Sequence, residues 1–237
     1  MTSLYMGFPK PCFIGDSDDV DAAVGRLRDA FPNVKIKHVI YDNACSLSIL
    51  DFCSMVGQKP GPVILVQPIQ SKVLEGIRLR LAANVPVAAE TIACDDGLKA
   101  AASSVIQQFE SGQPMTGMDL IVGVLIMAKL DDGHMWAGNA KGYMWASDIP
   151  KGRGIDEKYR DRVPHVLNIL LQHEVLVKKP SQGRSKYALN PGKKPEIYEM
   201  LRGRKFPTEI EKYLLRHHQL ESVRVLDDLP HYEDARH

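Results

Sequence analysis

The chain reads as an α/β protein: an open, mostly parallel sheet flanked by helices, followed by a second domain built from helices and a basic hairpin. Three observations carry that reading. Strand-like and helical stretches alternate four times in roughly the first hundred residues, the order that lays parallel strands side by side with helices as crossovers. The breaker-rich Ser111-Gly112-Gln113-Pro114 then interrupts the pattern and marks a boundary between residues 1–113 and 114–237. Beyond it, Val163–Asn190 runs in the order helix, short strand, polar loop, strand.

Each element has its own signal. After a loose start, Pro11–Ile14 is expected as the first strand, and Asp19–Ala30 as a helix with Val20, Ala23, Val24 and Leu27 on one face. Val34–Tyr41 alternates as a strand, and Ser46–Val56 is a helix that Ser46 or Ser48 can cap. Pro62–Val66 is a continuous apolar run, as a strand buried on both faces requires. Ser71–Ala83 is read as a helix, Val85–Ala89 as a strand, and Asp95–Glu110 as a helix opened by an acidic pair. This first domain is therefore expected to be Rossmann-like. In the second, Met118–Leu130 is helical, Tyr143–Ile149 is read as a short helix, and a further helix starts near Asp161 with Pro164 in its first turn. Val175–Val177 and Lys186–Leu189 are strands around a loop at Lys178–Ser185, and Pro195–Arg202 and Pro207–Gln219 close the chain as helices.

Of the 237 residues, 44% are hydrophobic and 25% charged, the balance of a folded globular chain. The longest uncharged apolar run, Leu120–Ala128, is too short to span a bilayer, and the N-terminus lacks the pattern of a secretory leader. Cys12, Cys45, Cys53 and Cys94 have no CxxC spacing, which points to free thiols in a reducing, cytoplasmic setting. The formal charge of +1 conceals a polarity: from Lys141 onward 19 Lys and Arg face 14 Asp and Glu, while the preceding residues hold 11 against 15. An acidic or neutral module is joined to a basic one.

The segment Val163-Pro164-His165-Val166-Leu167 through Tyr187-Ala188-Leu189-Asn190, with its polar loop, resembles the last helix and wing of winged helix-turn-helix domains, over about a third of the chain (Met118–Asn190). The resemblance implies double-stranded DNA as partner. Arg160, Arg162, His165 and Asn168 would then lie on a recognition helix facing base edges. Lys178, Lys179, Arg184 and Lys186 would neutralise phosphates, with Ser181 and Gln182 adding hydrogen bonds. Pro150–Lys158, where a tight turn belongs, is long and carries Pro150, Gly152 and Gly154. That departure leaves room for a fold used only for protein contacts.

In the first domain the acids Asp16, Asp18 and Asp21 cluster where a strand passes into a helix. Carboxylates there sit where open α/β sheets take ligands, and Asp16 with Asp18 could share Mn²⁺ or Mg²⁺; equally, Asp18 and Asp19 could simply favour the positive end of the helix. Gly15–Asn43 resembles the first motif of DHH-family phosphoesterases: Asp16 and Asp18 match its two acids and Ala22-Ala23 its small pair, but Ile14 stands in place of its histidine. After the third strand, Gln67-Pro68-Ile69 offers no metal ligand. The resemblance thus implies a degenerate member. Glu75, early in a helix after an apolar strand, resembles in position the catalytic glutamate of TIR-like and deoxyribosyltransferase-like domains. The leading expectation is a non-catalytic DNA-binding regulator with no cofactor. Its α/β domain would sense a nucleotide-like ligand, form a homodimer or dock a partner in a larger assembly. The alternatives are a metal-dependent phosphodiesterase using the acid cluster, and a protein–protein adaptor.

Overall fold

The computed structural model describes residues 2–10, 17–42, 44–82, 84–139, 141–217, 219–230 and 232. The chain forms two compact units: Met1–Thr116 with Leu215–Val223, and Gly117–Leu214 with Arg224–His237. No helix among the described residues is long and apolar enough to cross a membrane.

The first unit runs β1 (Ser3–Lys10), α1 (Ser17–Ala30), β2 (Lys35–Asp42), α2 (Ser46–Gln58), β3 (Val63–Val66), α3 (Ser71–Arg80), β4 (Val87–Glu90) and α4 (Asp95–Glu110). Its four strands are parallel in the order β2-β1-β3-β4. Alternate side chains of β1 feed two cores, because successive residues of a strand point to opposite faces. Leu4, Met6 and Phe8 join Val20, Val24 and Leu27 of α1 and Leu98, Ala102 and Val105 of α4. Tyr5 joins Phe52 and Val56 of α2 and Val73, Leu74 and Ile77 of α3. Helices therefore cover both faces of the sheet.

The first strand is a correction. The expected strand at Pro11–Ile14 lies outside the described residues, and the stretch read as a loose start is β1, the strand between β2 and β3. Leu4, Tyr5, Met6 and Phe8 are fully buried. A central parallel strand is covered on both faces and shows no alternation, so Leu4–Phe8 carries no period-two pattern to announce it.

Strand β5 (Met115–Gly117) crosses from the first unit into the second, which runs α5 (Met118–Asp132), β6 (Met144–Trp145), a 3₁₀ helix at Glu157–Arg162, α6 (Val163–Gln172), β7 (Leu176–Ser181), β8 (Arg184–Leu189), α7 (Lys194–Gly203) and α8 (Thr208–Leu214). The last strand, β9 (Leu220–Ser222), belongs to the first unit and pairs with β5. From Asp119 to Leu130 every residue of α5 except Lys129 is buried. A helix apolar all round is a core helix, and α5 packs against α6, α7, α8 and β8. Strands β6, β8 and β7 form an antiparallel sheet in that order.

Two further expectations change here. Tyr143–Ile149, read as a short helix, contains β6, whose Met144 and Trp145 pair with Tyr187 and Lys186; bulky residues of this kind fit a pleated surface. The hairpin loop shrinks from Lys178–Ser185 to the two-residue turn Gln182-Gly183, with Ser181 paired to Arg184. Gln182 and Gly183 have φ of 48° and 69°, the left-handed pair that a tight hairpin turn needs to match strand twist.

Candidate nucleic-acid interface

The short turn decides where the hairpin's charges point. Residues directly opposite in an antiparallel ladder share a face, and neighbours along a strand alternate. Lys179 lies opposite Lys186, Ser181 opposite Arg184, and Trp145 opposite Lys186. One face of the sheet therefore gathers Trp145, Lys179, Ser181, Arg184 and Lys186. Lys178, opposite Tyr187, belongs to the other face, so the four hairpin cations divide three and one.

Aromatic rings hold two of these lysines. Lys186 Nζ sits 4.1 Å from the centroid of Trp145, and Lys179 Nζ 5.5 Å from that of Tyr143. A cation over a ring face is attracted by the ring's quadrupole. None of Lys178, Lys179, Arg184 and Lys186 makes an ion pair with a described residue. Two lysines directly opposite each other repel. An anion seated between them would relieve that repulsion.

The expected recognition helix divides differently. Arg160 and Arg162 lie in the 3₁₀ helix that precedes α6. Arg160 is exposed and ion-paired to Glu157 at 2.8 Å. Arg162 turns inward: its Nε and Nη2 donate to Oδ1 and Oδ2 of Asp119 at 2.7 and 2.6 Å. Asp119 is completely buried near the start of α5. A fork of this kind is the strongest ordinary pairing of arginine with a carboxylate. The Asp119 bond holds the Arg162 guanidinium above its ordinary pKa, against the opposing effect of burial. The fork ties Arg162 to the scaffold of the second unit. His165 and Asn168 are exposed on α6, and His165 Nε2 lies 3.7 Å from Asp119 Oδ2. Val163, Val166, Leu167, Ile169 and Leu170 form the buried face of that helix. Gln182 occupies the exposed hairpin turn.

Asp16 lies outside the described residues; Asp18 and Asp21 are exposed on α1, with Asp18 and Asp19 in its first turn. Acids in that position favour the positive end of the helix. Among the described residues no group of three His, Cys, Asp or Glu side chains is placed to hold a metal. Glu75 is ion-paired to Arg216 at 2.9 Å and its side chain is 13% exposed.

Sequence reasoning missed Trp145, Tyr143 and Asp119. The first two lie well before the hairpin in sequence, and only the pairing of β6 with β8 and the contact of Lys179 with Tyr143 reveal them; Asp119 is a single charge in the buried helix α5. That last signal was readable, since an acid in a buried helix needs a partner. Comparison of the chain with protein-family models, curated proteins and solved structures yields no match.

Proposed function

We propose that the chain is a non-catalytic nucleic-acid-binding protein whose second unit is a winged helix gripping duplex DNA. The observation that carries this reading is the position of β6. It precedes the 3₁₀ helix and α6 in sequence, yet adds to the far strand of the β7–β8 hairpin. A third strand added in this way supports the winged-helix reading, although the 3₁₀ helix runs directly into α6 with no turn between them, and the β7–β8 pairing puts Lys179, Arg184 and Lys186 on one face. In this reading those three cations and Ser181 hold phosphates. His165 and Asn168 on the exposed side of α6 face base edges, where asparagine can form paired hydrogen bonds to adenine.

The α/β unit is the regulatory partner in the proposal. The chain steps from β1 to β2 on one side and then to β3 on the other. Open α/β sheets take ligands at the carboxyl ends of strands flanking such a reversal, which suits a nucleotide-like ligand. A cytoplasmic setting fits Cys45, Cys53 and Cys94, which are free.

The test is binding of a labelled duplex at low, fixed salt. Lys179→Ala/Lys186→Ala should weaken binding about tenfold on every sequence, as loss of phosphate contacts does. Lys178→Ala, on the other face, should change it little. Asn168→Ala should instead alter discrimination between sequences. Absence of binding with the fold intact would replace this reading with that of a protein–protein adaptor.

A further inference from the structure

Away from the hairpin, the second unit gathers three aromatic rings, two of them beneath a positive charge. Trp136 follows α5, Tyr198 lies on α7 and Tyr232 is near the C-terminus. The Trp136 and Tyr198 centroids are 5.8 Å apart with planes at 31°, and those of Tyr198 and Tyr232 are 6.1 Å apart at 48°. Asp131 fixes two of these walls: its Oδ1 accepts from Trp136 Nε1 at 3.0 Å and from Tyr198 Oη at 3.1 Å. Its other oxygen accepts from no described residue. Burial and the nearby Asp131 and Asp132 carboxylates push the Tyr232 hydroxyl up to about 12, so it stays protonated beside them. The Tyr198 hydroxyl is raised for the same first reason, burial, and then by Asp131.

A cation already lies over two of these rings. Lys194 Nζ lies over the faces of Trp136 and Tyr198, at 5.7 and 5.9 Å from their centroids. Lys194 is exposed, opens α7 and forms no ion pair with a described residue. Both distances are near the outer limit of about 6 Å for such contacts. The ammonium is thus loosely held on a flexible stem over rings that the carboxylate has already positioned. Ring faces with a neighbouring carboxylate favour a cation that sheds water easily, as an alkylated ammonium does more readily than a lysine.

We propose that Trp136, Tyr198, Tyr232 and Asp131 form a binding site for an alkylated ammonium group, with Lys194 as the displaceable occupant. The site is separate from the basic face of the hairpin, and the inference does not depend on DNA binding.

The probe is tetramethylammonium chloride, titrated against the full chain at constant ionic strength. Trp145→Phe leaves Trp136 as the only indole of the two in the chain, so its fluorescence reports the site. A saturable change is expected, tightened on the order of tenfold in Lys194→Ala and weakened by a similar factor in Asp131→Asn. Tyr198→Phe, which keeps the ring, should retain binding. The neutral isostere 3,3-dimethylbutan-1-ol should bind much more weakly. Choline and a trimethyllysine peptide run in parallel distinguish a free from a protein-borne ammonium, and saturable binding of either supports the site. No saturable response in Lys194→Ala, or an equal response to the neutral isostere, would overturn it.

Discussion

At the scale of single residues, the Arg162–Asp119 pair links the start of α5 to the segment that leads into α6. Removing one partner leaves a charge without its counterpart at a site where Asp119 is fully buried, a change that costs about 3 kcal/mol or more. Urea denaturation of Arg162→Ala and Asp119→Ala should show losses of that order, and the double variant should lose clearly less than their sum, because the two act through one interaction. Losses that add fully would mean the pair is not coupled. The same residue marks a limit of sequence reading. An arginine near a helix start resembles a base reader until its partner, 43 positions away, is seen. Asn168 and His165 differ: the apolar periodicity of Val163, Val166, Leu167 and Leu170 already puts them on the exposed face.

At the scale of elements, the hairpin depends on its turn. Gly183 has φ of 69°, and any other L-residue there is disfavoured by about 1–2 kcal/mol. Gly183→Ala should lower stability by roughly that amount in thermal or urea unfolding, whereas an unchanged stability would contradict the tight turn. A β-carbon at Gly123 in α5 would lie 2.9 Å from the Phe206 ring. Gly123→Ala should therefore cost about 1–3 kcal/mol through overpacking. In α8, burial pushes the Glu211 carboxyl above its ordinary range, opposed by the attraction of Lys205. A raised carboxyl favours the protonated folded form, so this contribution is complete below the ordinary carboxylate pKa and is lost as pH rises through the raised value. Glu211→Gln should flatten the fall in melting temperature across that window; an unchanged profile would exclude the effect. Elements with strong periodicity or caps were legible: α4 spans Asp95–Glu110 as its acidic start and apolar stripe require. Strand β1 was not, because central burial erases alternation. Nor was β6, because two residues hold too little pattern and its strand character comes from pairing with β8.

At the scale of the whole chain, the charge polarity in the sequence takes on a physical form. The excess of cations after Lys141 includes three concentrated on one sheet face, and pairing geometry, which composition does not encode, brings them together. The alternation of strands and helices made the α/β architecture legible, since crossover topology follows from element order. The candidate interface was legible only as a set of residue types in one stretch, not as a surface. The most direct test of the account is duplex affinity across a salt series for the full chain and for Lys179→Ala/Arg184→Ala. The wild-type plot of log K against log salt should fall steeply, and that of the variant should be shallower by roughly two, close to one unit for each lost phosphate contact. Equal slopes, or no binding at low salt by a chain whose circular dichroism shows an intact fold, would contradict it.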